Sequence, residues 1–142
     1  MILTRIQEAV SRYPDKTAIQ MQATPGFRKQ SYRELLDAIA AVSAGLGRKG
    51  IDKGDRVAIL SENRPEWIIA YLAVVARGAV VVPLDAQLTD KEVSLLVASA
   101  GSKAVFTSSA CRQKLPKQSS ITIFSFDPGD GVPFSELAAA KT

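Results

Sequence analysis

The sequence predicts an α/β fold: a mainly parallel sheet of βαβ units with helices on its faces, preceded by an N-terminal helix and a β-hairpin. After residue 55, short apolar runs typical of strands alternate with longer segments whose apolar residues recur at helical spacing. Parallel strands need crossovers of this kind, and such crossovers are right-handed. Before residue 31, one amphipathic segment precedes two alternating segments separated by a turn, which indicates the helix and the hairpin.

The N-terminal elements are predicted from capping and turn residues. A capping-box sequence places the start of the first helix at Thr4, and the Tyr13-Pro14 pair ends it. Residues 17–22 and 27–30 alternate as strands, and Thr24-Pro25-Gly26 between them favours a turn.

A second capping box, Ser31 with Glu34, predicts the start of the next helix. Its apolar residues share one stripe and are Leu35, Ile39, Val42 and Leu46. Gly47 and Gly50 are predicted to end it, and residues 56–60 form the first strand of the parallel sheet.

The third helix is predicted to begin at Asn63 and Pro65 and to be apolar nearly all round from Trp67 to Val75. Such a helix is expected to be buried between other elements, so Trp67 is interpreted as a structural core residue. The strand at 79–84 is continuously apolar, which is typical of a parallel strand covered on both faces.

The remaining elements follow the same logic. Thr89 and Glu92 form a third capping box, with Leu88 placed to pack on Val93, and this helix runs to Gly101. Strands are expected at 103–107 and 121–126, with a polar loop or short irregular helix between them. A turn at 127–131 leads to a short helix from about Pro133.

Composition limits the function. With 142 residues, the chain suits a single domain spanning 1–142. The net charge of +4 arises from interleaved signs without nearby stacking aromatics, so no nucleic-acid partner is expected. No apolar run is long enough for a transmembrane segment or a signal peptide, which favours a cytoplasmic protein.

The chain carries few candidates for catalysis. It contains no histidine, and its one cysteine, Cys111, lacks partners for a metal site and is interpreted as an incidental loop residue. Residues 45–50 spell G-x-G-x-x-G, but a helix precedes them and a strand follows, the reverse of a dinucleotide site. They are interpreted as helix-ending residues. Asp85 is expected to form a turn, and neither catalytic nor metal-ligating residues are assigned.

Residues 53–107 carry a family resemblance. Lys53-Gly54-Asp55-Arg56-Val57-Ala58-Ile59 is followed by Asn63-Arg64-Pro65-Glu66-Trp67 and then by Gly78-Ala79-Val80-Val81-Val82-Pro83-Leu84-Asp85. In this order and spacing, the segments resemble the opening of the AMP-forming acyl-CoA synthetases, of the adenylate-forming superfamily, with the long-chain fatty-acid–CoA ligases as the nearest branch. The resemblance covers nearly the whole chain, weakening after Ser109, and implies the N-terminal subdomain of the adenylate-forming fold.

The resemblance implies a cytoplasmic ligase of fatty-acid metabolism. Its full-length form would use ATP, Mg²⁺ and coenzyme A. It would convert a carboxylic acid, expected to be a fatty acid, first to an acyl adenylate and then to a thioester. The family's Ser/Thr/Gly-rich nucleotide loop, ribose-binding aspartate and C-terminal lysine are not among residues 1–142. No catalytic residue is therefore carried over, and residues 1–142 alone are expected to be inactive and to bind no cofactor.

One loop matches a ligand-binding position of the family. In relatives the loop after the 79–84 strand runs beside the nucleotide end of coenzyme A, which assigns Ala86 and Gln87 as candidate cofactor-binding residues. Some relatives have a basic residue near position 87 that meets phosphate, whereas Gln87 is neutral. The expected partners are the remainder of the AMP-binding domain and the acid substrate, with self-association through a partly uncovered sheet face. Two alternatives stay open: a stand-alone, non-catalytic binding or assembly module, and part of an adenylate-forming enzyme for amino or aryl acids.

Overall fold

A computed structural model describes residues 2–22, 27–117, 120–129 and 131–139. It contains a two-stranded antiparallel hairpin and a five-stranded parallel sheet, connected by helices. The helices are α1 (Ile2–Arg12), α2 (Tyr32–Arg48), α3 (Pro65–Ala76), α4 (Asp90–Ala100) and α5 (Phe134–Ala138). The strands are β1 (Thr17–Gln22), β2 (Phe27–Ser31), β3 (Arg56–Leu60), β4 (Val80–Leu84), β5 (Ala104–Thr107), β6 (Thr122–Ser125) and β7 (Val132–Pro133). A 3₁₀ turn covers Arg112–Lys114.

The large sheet has the strand order β4-β3-β5-β6-β7, and each neighbouring pair is parallel. Val57 of β3 is aligned with Val81 of β4 on one side and with Ala104 of β5 on the other. The central strands β3 and β5 are buried on both faces apart from Arg56, because helices cover each side. The predicted fold class is therefore confirmed.

Two apolar cores lie on opposite faces of this sheet. The larger joins α2, α3 and α5 to one face, and Phe106 at its centre lies within 5.0 to 6.1 Å, centroid to centroid, of the rings of Phe124, Phe126 and Phe134. The smaller lies beneath α4 on the other face. Alternate residues of each strand point to opposite faces, so one apolar run supplies both cores.

The predicted caps of α2 and α4 are confirmed. Ser31 accepts the Glu34 backbone N–H while Glu34 accepts the Ser31 N–H, and Thr89 and Glu92 make the same reciprocal pair. Each pair satisfies two backbone donors that the helix itself leaves without partners. Gly101 ends α4 at φ 64°, a conformation that favours glycine.

Several element predictions were wrong. Helix α1 begins at Ile2 rather than Thr4, because the earlier turn lets Leu3 pack on the larger core. Strand β4 is an edge strand with Val80 47% exposed, so it is not covered as expected. Pro83, which cannot donate to a ladder, suits such an edge. Strand β7 was not predicted, since two residues carry no periodic signal. The predicted turn at 24–26 lies outside the described residues.

Helix α3 and the sheet faces also differ from expectation. The described chain covers one side of α3 but leaves Trp67 only half-buried and Ile68 38% exposed. We expected one face of the sheet to be partly uncovered. The exposed sheet surface lies instead at the margins, at Val80 of β4 and at the half-buried Thr122 and Ile123 of β6. The expected route to self-association through a sheet face thus gains no support.

Candidate functional site at the carboxyl edge of the sheet

Open α/β sheets bind their ligands outside the carboxyl ends of the strands, so this edge is the candidate site. In this chain β3, β4, β5 and β6 all end there, because they are parallel and in register. The loops that follow contribute the polar side chains Ser61, Glu62, Arg64, Asp85, Ser108 and Asp127.

Arg64 is the centre of an ion-pair cluster at this edge. Its guanidinium donates to Asp127 through two nitrogens, with N–O distances of 3.0 and 2.9 Å, and to Glu66 at 2.7 Å. The Arg64 side chain is only 17% exposed, and its guanidinium carbon lies 5.6 Å from the centre of the Phe126 ring. Paired two-nitrogen contacts of this kind fix geometry as well as charge. Arg64 therefore joins the β3–α3 loop to the loop after β6.

These contacts shift the pKa values of the cluster. The Arg64 side chain, and next the Ser109 backbone N–H, hydrogen-bond the Asp127 carboxylate and lower its pKa to about 2. The hydrogen bonds that Arg64 donates, first to Glu66 and then to Asp127, raise the pKa of Arg64. Arg64 and Asp127 are thus both ionised throughout the physiological range. Since the Glu66 and Glu62 carboxylates lie 2.7 and 3.8 Å from the guanidinium, Arg64 faces more carboxylates than it can neutralise.

A group of hydroxyls lies behind the cluster. Thr107 donates to the Leu60 carbonyl oxygen at 2.8 Å and ties the end of β5 to the end of β3. The Ser108 hydroxyl is fully buried and makes no hydrogen bond of normal geometry with the described residues. It still lies near enough to the Glu62 carboxylate to be the main cause of that group's lowered pKa.

The loop after β4 holds the predicted cofactor-binding residues. The Asp85 carboxylate accepts the Gln87 backbone N–H at 2.8 Å, so Asp85 forms the turn that was predicted for it. The Gln87 side chain is exposed, and Ala86 is half-buried. The Lys114 ammonium, from the 3₁₀ turn after β5, donates to the Ala86 carbonyl oxygen.

This Lys114 contact brings a positive charge to a loop that has none of its own. Arg112 belongs to the same 3₁₀ turn, and its Nε is buried without a hydrogen-bond partner among the described residues.

Sequence reasoning missed Arg64, Asp127 and Lys114. Arg64 and Asp127 lie 63 positions apart, and no periodicity connects them.

The other sequence candidates are structural. Residues 45–50 cover the end of α2 and its cap, as predicted, but the cap is Lys49 and Gly47 still lies within the helix. Gly45 lies so close to α5 that a Cβ there would stand 2.2 Å from the Leu137 carbonyl oxygen. Cys111 does lie in a loop, but it is buried in the smaller core, where it acts as a small apolar side chain.

A magnesium ion does not fit the carboxyl edge. The described residues bring together no group of three potential metal-ligating side chains, and the Asp127 and Glu66 carboxylates already bind Arg64. Among the same residues, no helix combines the length and the apolar character needed to span a bilayer.

Comparisons with known proteins place these features in a family. The model of the AMP-binding enzymes matches residues 6–141. A Mycobacterium tuberculosis protein, 3-[(3aS,4S,7aS)-7a-methyl-1,5-dioxo-octahydro-1H-inden-4-yl]propanoyl:CoA ligase, is 35% identical over 101 residues, which are 71% of this chain and 19% of the relative.

Two solved structures are similar in fold and sequence. A Rhodopseudomonas palustris protein described as a long-chain-fatty-acid CoA ligase has a TM-score of 0.81 and 27% identity, covering 94% of this chain and 35% of that one. The Klebsiella oxytoca NpsA N-terminal subdomain in complex with 3-hydroxyanthranilyl-AMSN has a TM-score of 0.73 and 29% identity, covering 84% and 29% respectively. The chain spans about a fifth of the mycobacterial relative and about a third of the Rhodopseudomonas protein. The chain belongs to the AMP-binding enzyme family, and its fold matches part of the N-terminal subdomain of adenylate-forming enzymes.

Proposed function

We propose that residues 1–142 form one domain-sized scaffold, the N-terminal part of a ligase that activates a fatty acid with ATP and transfers it to coenzyme A. The observation that carries this proposal is the family match over residues 6–141. Coenzyme A as the acceptor is supported by the sequence similarity to a CoA ligase. A fatty acid as the substrate is supported by the structural similarity to a protein described as a long-chain-fatty-acid CoA ligase. A cytoplasmic role in fatty-acid metabolism is part of the proposal.

The reaction has two displacement steps. A carboxylate oxygen of the acid attacks the α-phosphorus of ATP, and pyrophosphate leaves with the electrons of the broken P–O bond. The thiolate of coenzyme A then attacks the acyl carbon of the adenylate, and AMP leaves as the thioester forms. Both steps need preorganised donors around developing negative charge. Since the ion-pair cluster around Arg64 is rich in carboxylates, we assign it to scaffold geometry and not to phosphate binding.

The loop at Ala86 and Gln87 is the part of the chain that we propose to meet coenzyme A. Gln87 offers a neutral hydrogen bond, and Lys114 supplies the missing charge beside it. One N–H of the Lys114 ammonium is donated to the Ala86 oxygen, which leaves two for the 3′-phosphate at the nucleotide end of coenzyme A.

The test of the coenzyme A contact is kinetic and uses the full translated product of the gene. We expect Lys114→Gln to raise KM for coenzyme A roughly tenfold, the loss of one charge-assisted hydrogen bond, and to leave KM for ATP unchanged. The exposed Lys117 provides the matched control Lys117→Gln. Dephospho-coenzyme A lacks only the 3′-phosphate, so with this acceptor the difference between wild type and Lys114→Gln should disappear. An equal loss with both acceptors would contradict a contact with the 3′-phosphate.

A second candidate activates an aryl or amino acid for a carrier protein. It is favoured by the similarity to the NpsA subdomain, which is described with a bound 3-hydroxyanthranilyl compound. Assaying the full product with fatty, aryl and amino acids separates the two: acyl-CoA with a fatty acid supports the first, and adenylation of an aryl or amino acid without transfer to coenzyme A supports the second. If no acid supports pyrophosphate exchange, the chain serves a non-catalytic module.

A further inference from the structure

Helix α3 carries an apolar stripe that the described chain leaves partly open. Its buried residues, on the side that faces the larger core, are Ile69, Ala70, Leu72, Ala73 and Val74. Trp67, Ile68, Tyr71 and Val75 are not fully buried, and at about 100° per residue they fall within a single arc of roughly 100°. The open surface is thus one continuous face and not a scatter of exposed side chains.

The N-terminal half of this stripe forms one wall of a groove. The rings of Trp67 and Tyr71 stack at 5.4 Å, and Ile68 lines the groove together with Trp67. The opposite wall is strand β1, with Ile19 and Met21, and the groove between the walls has a volume of about 400 Å³. The hairpin therefore does not close onto the start of α3.

The composition of α3 shows that this face is made to be covered. A helix on a protein surface keeps polar residues on its solvent side, whereas α3 has none between Trp67 and Ala76 except the Tyr71 hydroxyl. Helix α4 is different, since its exposed Leu95 and Leu96 are flanked by the exposed polar residues Lys91, Glu92 and Ser99. Contiguous open apolar surface of the α3 kind marks an interface.

We propose that the face formed by Trp67, Ile68, Tyr71 and Val75, with the groove against β1, is the surface on which the remaining part of the N-terminal subdomain packs. This rests on the proposed function. The match to the NpsA N-terminal subdomain covers 84% of this chain but only 29% of that subdomain. More than half of such a subdomain therefore lies outside the matched part and is available to pack against it. The occupant is an apolar surface of the same polypeptide.

Cysteine accessibility tests the proposal. Ile68→Cys places a thiol on the proposed interface, and Leu95→Cys places a matched thiol on α4. The native Cys111 is buried. Maleimide labelling is followed by peptide mass spectrometry in residues 1–142 alone and in the full translated product of the gene. We expect the thiol of Ile68→Cys to react at least about tenfold more slowly in the full product, with less than about a twofold change for Leu95→Cys.

Each outcome decides the proposal. Equal labelling of Ile68→Cys in the two proteins overturns it, as does a gene product that ends at Thr142. Protection that appears in residues 1–142 alone and grows with protein concentration assigns the face to a second copy and overturns the choice of occupant. If the Ile68→Cys thiol is protected in a full product that activates no acid, the result supports this interface and contradicts the proposed function. The failure of one proposal can therefore be told apart from the failure of the other.

Discussion

Replacing Asp127 by Asn removes the charge that Arg64 binds and keeps the size of the side chain. In the wild type, hydrogen bonds from Arg64 and then from Ser109 lower the pKa of Asp127 from 3.8 to about 2. A difference of that size corresponds to about 2 kcal/mol of stabilisation by the ionised form. The Asp127 side chain is 25% exposed, and solvent screening reduces the effect. We therefore expect Asp127→Asn to lower the free energy of unfolding by about 1–2 kcal/mol at pH 7.

The sign of the pH dependence follows from the direction of the shift. Since the pKa is lower in the folded state, the Asp127 carboxylate stabilises the fold above the unfolded pKa near 4. This contribution falls as the pH drops toward the folded pKa near 2, and about half of it remains at pH 3. The stability difference between wild type and Asp127→Asn should shrink accordingly, whereas a packing effect would not depend on pH.

Urea unfolding of both proteins between pH 3 and pH 7 measures this difference. Asp52→Asn is the control, because Asp52 pairs with Arg77 at 3.2 Å but is 72% exposed, and exposed pairs contribute at most about 1 kcal/mol. The reasoning is refuted if Asp127→Asn changes stability no more than Asp52→Asn does at pH 7. A loss that stays constant from pH 7 to pH 3 would refute it as well.

Three further predictions concern packing and activity. Gly45→Ala should lower the thermal midpoint, because its Cβ would stand 2.2 Å from the Leu137 carbonyl oxygen. Gly47→Ala should lower the midpoint less, because its Cβ meets the movable guanidinium of Arg77, and it should not change NAD or ATP binding. A thermal midpoint for Gly45→Ala above that of Gly47→Ala would contradict the close approach of Gly45 to Leu137. Trp67→Ala should cost about 1–3 kcal/mol and leave the fold intact by circular dichroism, since Trp67 is half-buried and full core truncations cost about 3–5 kcal/mol. Residues 1–142 alone should give no ATP–pyrophosphate exchange above a no-protein blank with any acid, and exchange that co-purifies with the chain would show that it contains the catalytic residues.

The half-burial of Trp67 corrects the expectation drawn from sequence. An apolar helix indicates that cover exists on every side, but it cannot say which segment provides it. The described chain covers the side of α3 that carries Leu72 and leaves the Trp67 side open. The expectation that Trp67 is a buried core residue was therefore too strong, since Trp67 only packs against the edge of the larger core.

By itself, the sequence determined the fold class, the order of the main elements, the two reciprocal caps and the position of residues 45–50 at the end of a helix. All of these depend on neighbours within a few positions, where backbone geometry and side-chain spacing decide the outcome. Only the tertiary structure decided that β4 is an edge strand, that Arg64 binds Asp127, and that Lys114 lies against Ala86. Strand order and pairings between distant residues depend on how the helices pack on the sheet. Charged residues such as Arg64 and Lys114 have the same local pattern whether they face solvent or a partner far along the chain.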